Sequence, residues 1–105
     1  NKPSCVLICE DDYSNGHGFP QIYQYLGIGK LVGTPVAGTM TAVWWETLIN
    51  GMVFGIPQVG CQGMDGKFAE NKQLNPDIEV YNTPEDYLNG YDRQLVRAVE
   101  EMMKK

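Results

Sequence analysis

The sequence predicts an α/β domain of short strands, a β-hairpin and two or three helices, and three observations carry that reading. Residues 5–9, Cys-Val-Leu-Ile-Cys, form an unbroken apolar run, the pattern of a strand covered on both faces as in a parallel sheet. Asn50-Gly51 separates two β-prone runs, and this dipeptide is the strongest short hairpin signal. Near the C-terminus, Leu95, Val96, Val99, Met102 and Met103 fall on one stripe of a helix, as an amphipathic helix requires.

Taken in order, the first strand passes into the polar turn 10–16, Glu-Asp-Asp-Tyr-Ser-Asn-Gly. A helix follows, with Phe19, Ile22, Tyr23 and Leu26 at i, i+3, i+4 and i+7 and Gly27 as its stop. Residues 30–33, Lys-Leu-Val-Gly, read as a second short strand reached by a helical crossover. Two glycines and a proline make 33–39 a loop. Residues 40–49 and 52–57 are the two arms of the hairpin, in which Trp44 and Trp45 face opposite ways, one into the core and one outward. The glycine-rich stretch 58–66 reads as a loop with the composition of a mobile one. Ile78 and Val80 alternate with acids, as in a half-exposed edge strand. Thr83-Pro84 opens a short helix that Asn89-Gly90 ends. Asp92 caps the last helix, and Lys104-Lys105 complement its C-terminal dipole.

The 105 residues suffice for one small domain, 1–105, with no internal boundary or repeat. With 43% hydrophobic and 20% charged residues the composition is that of a folded chain. The net charge of -5 argues against nucleic acid or an anionic membrane surface as partner. No apolar run approaches the roughly 20 residues that span a bilayer, so no membrane span is expected. The start at Asn1, with a core strand almost at once, reads as a piece of a larger protein. Cys5 and Cys9 point to one face of a strand about 13 Å apart, at about 3.3 Å per residue, which excludes a bridge between them. All three cysteines read as thiols packed like small hydrophobes, which leaves bacterial envelope and cytoplasm both open.

Ser14 stands where a strand turns into a helix. Unpaired N–H groups and the positive end of the helix dipole there suit an oxyanion; the plain alternative is an N-cap serine. A serine hydroxyl needs a positioned base. The single histidine, His17, lies on the first turn of the helix, near Ser14 but poorly placed for in-line proton removal, and reads as a surface or substrate-proximal residue. An echo of a calcium loop at Asp11, Tyr13 and Asn15 fails for want of oxygen donors at Tyr13 and Ile22, so no metal or cofactor is expected. Cys61 as nucleophile with His17 as base would need two loops to meet.

Ser14-Asn15-Gly16, Phe19-Pro20, the run 26–33 (Leu-Gly-Ile-Gly-Lys-Leu-Val-Gly), Glu70-Asn71 and 75–80 (Asn-Pro-Asp-Ile-Glu-Val) together resemble the C-terminal catalytic segment of tricorn-type serine peptidases. These belong to the S41 family, with the C-terminal processing proteases. The tail fits as well, with Pro84-Glu85-Asp86, Gly90, Asp92 and Gln94-Leu95. The resemblance implies a ClpP- or crotonase-like spiral, here in part, and serine endopeptidase activity on peptide or protein substrates. Ser14 matches the nucleophile, the Asn15 amide an oxyanion donor, and Glu70 the carboxylate that orients the catalytic histidine through another serine. Gly16 and His17 are implied to lie near substrate. The family's histidine and serine precede the nucleophile by a long way, so this chain alone is expected to be inactive and to need the missing N-terminal part. Asn15 departs from the family's usual aspartate and keeps only the backbone donor. The rival readings are a non-catalytic peptide-binding or assembly module, using Trp44, Trp45 and 58–66, and a crotonase-type acyl-CoA enzyme. Strand edges and apolar faces cut from a larger spiral would favour a homo-oligomer.

Overall fold

The computed structural model describes residues 2–104; the readings that involve Asn1 and Lys105 lie outside the described residues. The elements run β1 (Cys5–Ile8), α1 (Asn15–Tyr25), β2 (Lys30–Gly33), β3 (Ala42–Thr47), β4 (Val53–Val59), β5 (Ile78–Glu79), α2 (Pro84–Leu88) and α3 (Arg93–Met103). They form a three-stranded parallel sheet in the order β1-β2-β5 and a separate antiparallel hairpin of β3 and β4.

The β1–α1–β2 crossover is the expected one. β1 pairs with β2 in the register Cys5↔Lys30 to Ile8↔Gly33, and β5 adds at the edge of β2 through Val32↔Ile78. The small core joins Ile8, Tyr23, Leu31, Val36 and Leu74, with Val6 packed against it. Leu31, Val32 and Val36 are fully enclosed, and each such side chain contributes about 1.5–3 kcal/mol. Gly33 makes the close approach of β1 possible: with φ +138, a Cβ there would sit 1.9 Å from the Ile8 carbonyl oxygen.

Four expectations about faces need correction. The β1 strand is not covered on both sides along its length, because Leu7 is 43% exposed while Ile8 is buried. α3 packs next to Cys5 with its buried Ala98, the Cys5 thiol lying 4.0 Å from the Ala98 carbonyl, and leaves Leu7 exposed. Of the α1 stripe Phe19, Ile22, Tyr23 and Leu26 only Tyr23 is buried, together with His17 and Pro20, while Phe19, Ile22 and Leu26 are exposed. The helix is apolar on two sides, and Tyr23, whose hydroxyl lies 2.7 Å from that of Ser4, belongs to the side that wins. The α3 stripe is likewise half open, with Leu95, Val99 and Met103 exposed and Ala98 buried. The thiols of Cys5, Cys9 and Cys61 are free and half-buried rather than fully enclosed.

The hairpin forms, with a different turn and setting from the expected ones. Leu48 N–H donates to the Met52 carbonyl (2.8 Å) and Gly51 N–H to Leu48 (2.9 Å), leaving a three-residue loop with Gly51 at φ +82, the αL position such loops place in glycine. Neither tryptophan reaches a core: Trp44 is 56% and Trp45 72% exposed. The hairpin projects from the sheet, which gives a radius of gyration of 17.0 Å and extents of 58 × 37 × 23 Å, against about 13 Å for a compact chain of this length. Within 58–66, residues 58 and 59 belong to β4, and a Gln62↔Phe68 bridge closes a small polar turn.

The C-terminal caps follow the sequence. Thr83 accepts from Asp86 N–H and Asp86 from Thr83 N–H, a reciprocal capping box. Buried Asp86 is also held by two bonds from Arg93, each 2.9 Å. Asp92 accepts from Leu95 N–H to start α3. Glu101 gathers Lys30, Arg97 and Lys104. These cations, through side-chain bonds from Lys104 first and then Lys30, lower its carboxyl to about 2.

Candidate active site

Ser14 is the residue at which β1's outgoing turn becomes α1, and its backbone is strained. Its φ of 54° and ψ of -116° lie where a Cβ is crowded, a conformation costing on the order of 1–3 kcal/mol and found at functional sites. The side chain does not act as a cap for the helix, so the N-cap role is absent and the hydroxyl is left exposed. What holds the residue is its own amide, which donates to the Thr39 carbonyl at 2.7 Å.

The first turn of α1 leaves one donor free beside that hydroxyl. Gly16 N–H is used by Tyr13, and His17 and Gly18 N–H by the Ser14 carbonyl, at 2.9, 3.0 and 2.9 Å. The Asn15 amide has no acceptor among the described residues, and it sits at the positive end of the helix dipole. Gly16, expected near substrate, therefore offers no free amide.

Thr39 belongs to a strap, residues 36–41, that is zipped to residues 70–74. Val36 and Leu74 exchange both backbone bonds, and Asn71 N–H, at φ +59, donates to the Gly38 carbonyl. Gly38 is at φ +102, and a Cβ on it would lie 2.6 Å from the Lys72 carbonyl oxygen. Next along, Glu70 Oε2 accepts from Met40 N–H, Thr41 N–H and the Thr41 hydroxyl, each at 2.7 Å. The Thr41 hydroxyl first, then the Met40 amide, hold the Glu70 carboxyl below its usual range. Glu70 thus reaches the Ser14 backbone through the strap, a link that sequence reasoning missed because Thr39 and Thr41 carry no motif.

His17 is placed differently from its expected surface position. It is fully buried, and neither ring nitrogen has a hydrogen-bond partner, the Ser14 hydroxyl included. Burial lowers its pKa, opposed by the neighbouring Glu70 charge. Cys61 and His17 do not form a bonded pair either. Among the described residues no group of three or more His, Cys, Asp or Glu side chains is placed to hold a metal.

Part of the exposed side of α1 borders a groove. Phe19, Ile22 and Tyr25 line this groove of about 720 Å³ together with Asn15, Met40, Cys61 and Met64. Asp65, Lys67 and Lys72 give it a charged rim. The misplaced helical face was the signal that the sequence already contained: an apolar stripe in excess of what the core uses.

The chain thus combines a strained serine, a free adjacent amide and a carboxylate tied to the same strap, and comparison with known proteins decides the family. The model of peptidase family S41 matches residues 1–80. The chain belongs to peptidase family S41. Its S41 relatives include the tricorn protease of Thermoplasma acidophilum, 33% identical over 103 residues, which cover 94% of this chain and 10% of that protein. The fold agrees with the crystal structure of the tricorn protease at a TM-score of 0.86 and 31% identity, over 97% of this chain and 11% of the other. It agrees with that of mature CPAF at a TM-score of 0.72 and 30% identity, over 81% and 17%. This chain is thus a tricorn-type S41 relative with the mixed α/β fold of those peptidases, and it spans about a tenth of the tricorn protease's length. Among the described residues no helix is long and apolar enough to cross a membrane.

Proposed function

We propose that this chain carries the nucleophile of a serine endopeptidase. The Ser14 Oγ attacks the carbonyl carbon of a peptide bond, its proton passing to a histidine supplied by another part of the same protein. The Asn15 N–H stabilises the oxyanion, a contribution of about 3 kcal/mol for one donor. The histidine then returns the proton to the leaving amine, and water releases the acyl group from Ser14. Glu70 takes part in the relay that orients that histidine. The observation that carries this reading is the pairing of a strained, exposed Ser14 hydroxyl with the one unused amide of the α1 first turn.

The only histidine of the chain is buried away from Ser14, so residues 1–105 alone are expected to be inactive. The groove along α1, which Asn15 helps to line, receives apolar side chains of the peptide. The uncovered hairpin, apolar on both faces and marginal as an isolated unit in water, supports burial against a second copy or another part of the same protein. The test is labelling by a fluorophosphonate serine probe, on the full-length protein and on this chain, with Ser14→Ala controls. Labelling of the full-length protein alone, lost in the variant, is expected. No labelling of either would favour a non-catalytic module of the same fold.

A further inference from the structure

We propose that Thr41 is a positioning residue for hydrolysis at Ser14, its hydroxyl locking Glu70 onto the strap that holds the Ser14 amide. This rests on the peptidase reading above. Glu70 Oε2 accepts three bonds of 2.7 Å, two from backbone N–H groups and one from the Thr41 hydroxyl. The two amides come with the chain whatever residue stands there, so the hydroxyl is the one donor that side-chain choice supplies. An ionised carboxylate oxygen offers about two lone pairs, and three donors saturate it. Oε1 has no donor among the described residues and is the acceptor left for a partner. The Thr41 hydroxyl therefore adds the third donor that locks Oε2 onto the strap and leaves Oε1 presented.

The same contact reaches the nucleophile. Thr41 and Thr39 lie on one strap, clamped on one side by Glu70 and Asn71, while on the other the Thr39 carbonyl receives the Ser14 N–H. Holding a strained backbone in place needs such a clamp. The titratable group facing Glu70 is His17 of α1; it is buried and common to every variant below, so differences among them report the hydroxyl.

The experiment uses the full-length protein with Thr41→Val, Thr41→Ala and Thr41→Ser, followed by the rate of fluorophosphonate labelling and by peptide hydrolysis against pH. Removing one hydrogen bond to a charged acceptor is expected to lower kcat about tenfold, with KM unchanged, in both the valine and alanine variants. Because the hydroxyl stabilises the ionised carboxylate, its loss makes Glu70 easier to protonate, so the acid limb of activity moves to higher pH. Thr41→Ser, which keeps the hydroxyl, should restore both rate and limb. Wild-type rate and pH profile in either hydroxyl-free variant, or equal loss in the serine variant, overturns the role of Thr41 and leaves the peptidase reading standing. Absence of labelling in the unmodified protein overturns the peptidase reading and the role of Thr41 with it.

Discussion

Ser14→Gly should make the fold more stable while abolishing any reaction at this residue. The Ser14 backbone, at φ 54° and ψ -116°, carries on the order of 1–3 kcal/mol of strain because of its Cβ. Glycine relieves that strain, offset by about 0.5–1 kcal/mol for the greater freedom of its unfolded chain. The hydroxyl makes no capping bond, so its loss costs little, and Ser14→Ala removes it while keeping the Cβ. The difference between the glycine and alanine variants is thus the strain less that entropy, about 1 kcal/mol in favour of glycine. Urea unfolding of residues 1–105 reads this as a midpoint about 1 M higher for glycine, at an m-value of about 1 kcal/mol/M. An alanine variant as stable as the glycine variant would refute the reasoning: the backbone would then owe nothing to the position of its Cβ.

Further outcomes follow from single contacts. Gly38→Ala puts a Cβ 2.6 Å from the Lys72 carbonyl oxygen at φ +102. It should cost about 2–3 kcal/mol and slow Ser14 labelling in the full-length protein, since the strap must shift; unchanged labelling would mean the strap does not set the site. Glu101 is lowered to about 2 by Lys104, Lys30 and Arg97, so its contribution is present above its ordinary range near 4.5 and is lost as pH falls toward 2. Circular dichroism of Glu101→Gln should show lower stability than wild type at pH 7 and a difference that closes by pH 2. Ile22→Asp, on the exposed wall of the groove, should leave stability nearly unchanged and raise KM for peptides with large apolar side chains, as steady-state kinetics would measure. Light scattering at micromolar concentration should find the chain associated, and Trp45→Lys with Ile49→Lys should shift it toward monomer.

Much of this molecule was legible in short-range pattern. The elements of the crossover β1, α1 and β2, the hairpin turn at Asn50-Gly51, the edge strand at Ile78 and the caps at Thr83 and Asp92 are each signalled by residues a few positions apart, although the strand pairing joins residues as distant as Cys5 and Lys30. Residue spacing along the chain therefore suffices to find them. Ser14 was visible for the same reason, as a serine at a strand-to-helix turn, and its family through an ordered set of motifs. Which side of α1 faces the sheet was decided elsewhere. Spacing puts Tyr23 on one face with Phe19, Ile22 and Leu26, whereas in the fold Tyr23 is buried with His17 and Pro20 and the other three are exposed. Burial of His17 follows from that choice, and with it the loss of the only histidine as a base. The strain at Ser14, the grip of Glu70 on Thr41 and the unused Asn15 amide arise where residues 14, 39 and 70 meet. No spacing encodes that meeting, because it is the packing of distant segments that brings their backbone groups within hydrogen-bond reach.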